Sequence, residues 1–557
     1  MNHLSRKLSP ALAVLLILLL SSAAMGQGPV TQSGRGLQGV DWVVIGLYGV
    51  GMLVLGLYCA RRQKSAKDYF LGGGNMHWLA VGISLFATLL STISYLATPG
   101  EMIKNGPVVL SSAFAPPIAF LVAGFLLIPR IMRHRVTSAY ELLETQLGLA
   151  PRLMAALIFI TVRLVWMGLM LNICAKAMVT MLGLRPEFQP WIVLLAGIVA
   201  VGYTTLGGLR AVVITDVVQF LLLMGGAVLT LVLITMNMGG LNWFPTRWAS
   251  HWDAQPVFSP DPHVRVTVVG SIVSGALWWI CTAGSDQTAI QRYMATRDVR
   301  AARRSFFVNS CADLTVMLTL GLVGLALLGY YMAHPQNVVG AGGVIENADK
   351  LFPQYIANQL PVGISGLVVV ALFAAAMSSV DSGVNAVTAI VMTDFIGRFR
   401  GRPRSERHEL RLAQLLTLGI GAVIILLNSL VDRVPGNILE VTSKTVNLLV
   451  APLFGLFFMA LFVRWATSFG AVFGSIYGAT AAVLVGFWDM LTGLEPLSFQ
   501  WISAVALSVN IVAGMLLSLL PTRRLTPSQI VFCSIAAIIP VVSALAGAIS
   551  LRFVPPV

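Results

Sequence analysis

The sequence predicts an all-α, polytopic membrane protein of about fourteen spans, and three observations carry that prediction. Hydrophobic residues make up 57% of the 557 residues and charged ones only 10%, with a mean hydropathy of +0.84. A water-soluble domain needs a polar exterior and cannot hide that much apolar surface, whereas lipid solvates it. The apolar residues also fall in runs of about 20, the length of a helix that crosses a bilayer. Finally, Lys and Arg gather in alternate connecting segments, the pattern that fixes membrane topology.

The formal net charge of +14 reads as that topology signal, so no nucleic-acid partner is expected. Cys59, Cys174, Cys281, Cys311 and Cys533 lie inside or at the edges of apolar segments. None has the spacing of a metal site, and no disulfide framework is expected.

In chain order, residues 1–26 read as a signal segment. Arg6 and Lys7 precede the apolar run Ala11–Leu20 and the small residues Ser22-Ala23-Ala24-Met25-Gly26. Cleavage there would leave the mature N-terminus outside; an uncleaved extra helix is the alternative. The spans follow at about 41–60, 77–104, 108–129, 153–182, 190–206, 211–235, 266–285, 306–332, 362–394, 410–428, 437–462, 468–490, 497–520 and 527–551. Two connections, 236–265 and 333–361, are long. No soluble domain is expected on either side of the bundle. With the N-terminus outside, 23 Lys and Arg fall in inner segments and nine in outer ones. Both chain ends are then outside.

Polar residues within the spans carry the chemistry. The second span holds Ser84, Thr88, Ser91, Thr92 and Ser94, then Pro99-Gly100. An interrupted helix there would expose carbonyls to a hard cation such as sodium; a continuous helix with hydroxyls bonded to its own carbonyls is the alternative. In the ninth span Ala375, Ser378, Ser379 and Ser382 share one helical stripe. They suit either close helix packing or cation binding. Asp381 lies at the stripe's edge, where a carboxylate is costly and points to function. In the sixth span Asp216 follows Gly207-Gly208, either as a functional group or as an interfacial helix start.

Six motifs recur in a fixed order. They are Asp68-Tyr69-Phe70-Leu71-Gly72-Gly73; the Ser84–Glu101 stretch; Pro129 with Thr137-Ser138-Ala139-Tyr140-Glu141; Gly207-Gly208-Leu209-Arg210-Ala211 with Thr215-Asp216; Asp286-Gln287 with Gln291-Arg292-Tyr293; and the Ala375–Asn385 stretch. Through them, residues 40–520 resemble the sodium:solute symporter family, which includes carriers of sugars, proline, pantothenate, monocarboxylates and sialic acid.

The resemblance implies a LeuT-type core of ten helices in two inverted five-helix repeats. Here these would be 77–235 and 266–462, with one extra N-terminal helix at 41–60 and about three C-terminal helices across 468–551. It also implies a sodium ion held by carbonyls of the first core helix and by a carbonyl and two hydroxyls of the eighth: Ala87, Leu90, Ala375, Ser378 and Ser379. A second cation site, present in some members, would use Asp216 with Ser378 and Ser382. Asp381 stands where a serine is expected, adding an anionic ligand or a protonatable group.

In this fold the solute binds at mid-membrane beside the interrupted helix, where Thr92 and Ser94 are the nearest polar candidates. Arg163 lies eleven residues beyond Arg152, about 16 Å along a helix and near the bilayer centre. A guanidinium there needs a partner and fits carboxylates bidentately. Sialic acid carriers of the family place an arginine in this helix for the substrate carboxylate. The alternative is an ion pair with a buried acid such as Asp313 or Asp381. The segment 108–129 holds no carboxylate for sugar hydroxyls, and Trp278–Gly284 is not a tyrosine-rich sugar gate. Trp279 and Thr282 are pocket candidates, with packing the alternative for the tryptophan. The segment from Asp286 to Arg304 is expected to brace an inner loop.

The expected function is therefore secondary active, alternating-access symport of sodium with a small, polar, carboxylate-bearing solute across an inner membrane. A monomer is the expected functional unit, with the lipid bilayer as its surroundings. The rival readings are a sodium- or proton-coupled sugar or polyol carrier and a non-transporting membrane sensor. An enzyme is disfavoured because the seven histidines are scattered over loops and span ends.

Overall fold

The computed structural model describes residues 37–520 except Arg62, Lys64, Ser91, Arg135, Gly183, 254–256, Ala341, 400–404 and 432–437, together with Gln529. The expected signal segment at 1–26 lies outside these residues, as does the fourteenth span at 527–551 apart from Gln529. Helices occupy the other thirteen expected segments, and no strand is present among the described residues.

The described residues begin with α1 (Gly39–Ala60), the short α2 (Ala66–Leu71) and the pair α3 (Trp78–Leu89) and α4 (Thr92–Lys104). A segment at Pro107–Ile131, here α5, contains a π-helical turn at Ala123–Leu127. Next come the short α6 (Glu141–Leu147), then α7 (Leu149–Leu182) and the 49-residue α8 (Gln189–Asn237). The second half holds α9 (Val268–Ser285), α10 (Gln287–Ala295), α11 (Val299–Ala333), α12 (Ala348–Asn358), α13 (Ile364–Ile390), α14 (Glu406–Val431) and α15 (Ile438–Phe462). Two further helices among the described residues are α16 (Ser468–Gly486) and α17 (Ile502–Ser518). Among the described residues, ten segments are each long and apolar enough to cross a membrane, and α3 with α4 forms a bent eleventh. The helix α8 fills two expected spans.

Burial sorts these helices. On α1, Val43, Leu47, Val50, Val54 and Leu57 are exposed, which suits a lipid-facing helix. The centre of the bundle is α13, whose residues Ile364–Ile390 are almost all buried. Its N-terminal amides need partners that helix geometry cannot supply. Asp41 of α1 provides them, accepting from Gly363 N and Gly366 N at 2.7 Å each. At the far end, Gly470, Gly474 and Gly478 recur every four residues on α16. They let α17 approach until a Cβ on Gly474 would sit 2.7 Å from Asn510 O, the close packing that small residues permit.

Two helices are interrupted, at corresponding places five crossings apart. The first break separates α3 from α4: Leu90 is extended (φ −74°, ψ 124°) and the axis turns by 59°. The second separates α9 from α10 at Asp286 (φ −76°, ψ 125°). The first was expected. The second corrects the inner-loop reading of the Asp286–Arg304 segment. Gln287–Ala295 is a helix with all nine residues buried, the second half of a broken span.

Gly207-Gly208, between the fifth and sixth expected spans, is a kink within α8. Gly208 has φ 53° and ψ −160°, a region open essentially to glycine alone. A Cβ there would also lie 2.6 Å from Tyr69 O. Replacing Gly208 with alanine should therefore destabilise the protein by about 1–3 kcal/mol from backbone strain alone. The check is thermal unfolding in detergent; an unchanged midpoint would refute the strain argument.

Candidate cation and solute sites

Interrupting α3 at Leu90 leaves backbone carbonyls without helical partners, and α13 answers them with two hydroxyls. Ser378 Oγ donates to Ala87 O at 2.8 Å and to Ala375 O at 3.2 Å. Ser379 Oγ donates to Thr88 O at 3.1 Å and Leu90 O at 3.3 Å. All five residues named for the sodium site thus converge, with Thr88 added. Every donor atom is a neutral oxygen, the set that suits a hard cation. A small cavity adjoins these groups, lined by Ala87, Leu90, Gln219, Leu223, Ala375 and Ser378 among others.

One turn further along α13 lies a charged cluster. Asp216 Oδ2 accepts from Ser84 Oγ at 2.5 Å and from Arg292 Nη2 at 3.0 Å. The same nitrogen donates to Ser382 Oγ at 2.6 Å, and Arg292 Nε donates to Ser84 Oγ at 2.9 Å. Thr88 Oγ1 is 2.8 Å from Ser382 Oγ. Asp381 faces the other way: Tyr203 Oη donates to its Oδ2 at 2.5 Å and Ser382 Oγ to its Oδ1 at 3.1 Å. Gln219 Nε2 continues the chain to Tyr203 Oη at 3.3 Å and to Tyr48 Oη at 3.1 Å. Asp216, Asp381 and Arg292 are all fully buried.

The three residues expected at a second cation site, Asp216, Ser382 and Asp381, are therefore together. Sequence reasoning missed the fourth member, Arg292, because its segment was read as a loop. The signal was available: an arginine six residues after Asp286, in a motif whose order it shares with the other five.

Arg163 is buried and its partner is neither Asp313 nor Asp381. Its Nη2 reaches Asp286 Oδ2 at 2.5 Å and Thr288 Oγ1 at 3.0 Å, and the guanidinium lies over the Phe159 ring, 5.5 Å from the centroid. Asp286 does two tasks: it ends the break and its Oδ1 caps α10 by accepting from Thr288 N at 2.8 Å. Thr282 lies one turn earlier, its carbonyl accepting from Asp286 N at 3.1 Å. Trp279 is buried and edge-on to Phe306. Arg163, Thr282 and Trp279 thus gather around the second break. Thr92 and Ser94 belong to the first. Thr92 is buried against the Cys174 thiol, eleven residues along α7 from Arg163, or about 16 Å. Ser94 is half-buried on the first turn of α4.

Residues 69–478 match the model of the sodium:solute symporter family. The sodium/sialic acid symporter SiaT of Proteus mirabilis is 28% identical over 440 residues, covering 76% of this chain and 85% of its own. The human sodium-coupled monocarboxylate transporter 1 is 28% identical over 432 residues, covering 76% and 69%. Among solved structures, a substrate-bound, outward-open Na⁺-coupled sialic acid symporter aligns with a TM-score of 0.74 at 27% identity, over 88% of this chain and all of the other. A nucleobase-cation-symport-1 family transporter aligns with a TM-score of 0.52 at 13% identity, over 83% and 97%, and shares the fold alone. The LeuT-type architecture of paired five-helix repeats, each opened by an interrupted helix, is thereby established. On the match across most of its length, and on the oxygen site between α3 and α13, the chain belongs to the sodium:solute symporter family, and sodium is its coupling cation.

Proposed function

We propose that this chain carries a small carboxylate-bearing solute inward with sodium by alternating access. The observation that carries the reading is the convergence of Ala87, Leu90, Ala375, Ser378 and Ser379 across the first break. Sodium bound among those oxygens ties the broken helix to α13 and forms the solute pocket; its release inward loosens the pair. Two similar proteins, a sialic acid symporter and a monocarboxylate transporter, take carboxylates. Arg163 already holds a carboxylate, that of Asp286, so its geometry suits one. In this reading the solute carboxylate competes with Asp286 for Arg163 at the second break, with Thr282 and Trp279 beside it. Thr92 and Ser94 serve the opposite end of the solute. Asp216, Ser382 and Asp381 form a second cation site in which Arg292 holds a standing positive charge.

The remaining expectations belong to the same reading. The repeats run over 77–235 and 266–462, the protein is a multi-pass component of an inner membrane with both termini outside, and the monomer is functional. The loop-charge bias supports this orientation even after Arg292 moves from loop to core.

A second reading has one observation in its favour. The Arg163–Asp286 pair is complete, so Arg163 is satisfied without any anion. In that case the carrier takes an uncharged solute such as a sugar or polyol. Sodium-driven uptake into proteoliposomes, screened across sialic acids, monocarboxylates, sugars and polyols, separates the two. The first reading expects a carboxylate substrate whose uptake falls at least about tenfold in Arg163→Gln, the loss of one charge-assisted contact worth about 1.5–3 kcal/mol. Carboxylate uptake unchanged in that variant would sink the Arg163 assignment while leaving sodium coupling intact.

A further inference from the structure

One cavity has no part in the transport path described above. It has a volume of about 250 Å³ and lies where α5, α6 and α15 end, lined by Arg130, Arg133, His134, Gln146, Phe462 and Arg464, among others. Three arginines line it, and no carboxylate does. Among the described residues none of the three makes an ion pair.

Helix termini explain part of this charge. The C-terminal ends of α5, α6 and α15 each carry up to roughly half a negative charge, and Arg130 Nη1 donates to Leu126 O at 2.9 Å. Three such ends offset at most about one and a half of the three positive charges, leaving an excess of at least about one and a half. Neighbouring acids do not remove it. Glu141 accepts from Thr137 N and Ser138 N. Glu144 is bound by Arg152 at 2.5 Å and Arg398 at 3.0 Å. Partial burial opposes its ionisation, but these two arginines hold its carboxyl below the ordinary value. It stays charged and engaged away from the cavity.

Depth identifies the ligand. The cavity sits at the ends of two spans, with Phe462 stacked against the Arg130 guanidinium at 4.9 Å and Trp465 exposed beside Arg464. Aromatic residues with arginines at span ends mark the headgroup layer, and basic pockets between helices at that depth suit anionic lipid headgroups. We propose that this cavity binds a phosphate group, that of an anionic phospholipid in the adjoining leaflet. Arg130 is fixed by its bond to Leu126 O and by Phe462, and Arg133 and Arg464 close on the phosphate from the two helix ends. Because α5 and α15 lie in different repeats, the bound headgroup bridges parts that move relative to one another during alternating access.

The test uses the full-length carrier in mixed micelles of phosphatidylglycerol and phosphatidylcholine, read by native mass spectrometry. Wild type should retain phosphatidylglycerol in preference by about 10–100-fold, the range for up to three arginines near a charged surface. The triple variant Arg130→Gln/Arg133→Gln/Arg464→Gln should lose that preference, and the matching triple lysine variant should keep most of it. Inorganic phosphate forms the second arm. If it alone raises the unfolding temperature and phosphatidylglycerol is not preferred, the lipid source is overturned. Equal retention of both lipids by wild type with no stabilisation by phosphate, or a preference surviving in the glutamine variant, overturns the site. Sodium-driven uptake in pure phosphatidylcholine vesicles should match wild type in the glutamine variant, which shows that it folds.

Discussion

Alanine at both Ser378 and Ser379 should abolish sodium-driven uptake at ordinary sodium concentrations while leaving the protein folded. Each serine supplies a hydroxyl oxygen to the site between α3 and α13, and each also donates to the carbonyls freed by the break at Leu90. Losing a buried hydrogen-bonding group costs about 1–3 kcal/mol. Two such losses should raise the half-saturating sodium concentration by about thirtyfold to well over a thousandfold. Ser379→Thr keeps the hydroxyl and separates chemistry from shape: it should retain coupling if the oxygen is what matters. The measurement is solute uptake into proteoliposomes across a sodium titration, paired with sodium-induced thermal stabilisation in detergent. An unchanged half-saturating concentration in the double variant would remove the site from the mechanism. Family membership would survive that result; the residue assignment would not.

That site was legible only through resemblance. Three of its proposed ligands are backbone carbonyls, which leave no mark in the side-chain sequence, and the serine stripe on α13 fits tight packing equally well. The spans were legible for a simpler reason. Lipid requires apolar runs of about 20 residues, so thirteen expected segments have helices, and even the kink at Gly208 follows from Gly207-Gly208. What failed was the opposite case, a polar segment buried in protein. Gln287–Ala295 reads as a loop because its partners are distant in sequence. Gln287 Oε1 accepts from Ala139 N at 2.7 Å, Gln291 Nε2 donates to Phe70 O at 2.5 Å and to Asn385 Oδ1 at 2.8 Å, and Arg292 meets Asp216. Burial of such groups depends on whether each finds a mate, and sequence periodicity does not report mates. The same misreading hid the partner of Arg163. That a mid-membrane guanidinium needs an acid was clear from physics. Which acid was not, because Asp286 had been assigned to the loop.

Arg292 carries the second large prediction. Removing one member of a buried ion pair costs about 3–5 kcal/mol, because the other charge is left uncompensated. Here the loss is compounded. The cluster has two carboxylates, Asp216 and Asp381, against one guanidinium; with both ionised it is one positive charge short at the outset and two short in Arg292→Gln. That variant should unfold at markedly lower temperature than wild type, and adding Asp381→Asn should restore much of the loss by returning the deficit to one. Asp216→Asn should restore it too, but through the direct partner. If both double variants are as unstable as Arg292→Gln alone, charge balance does not govern the cluster and packing does. The same accounting bears on transport. In wild type the missing positive charge is one a second cation could supply; in Asp381→Ser the cluster is already neutral. The serine variant should therefore move one fewer positive charge per solute, read as a smaller current-to-uptake ratio in voltage-clamped proteoliposomes. A ratio equal to that of wild type would place Asp381 outside the coupling machinery and leave it as a hydrogen-bond acceptor for Tyr203 and Ser382.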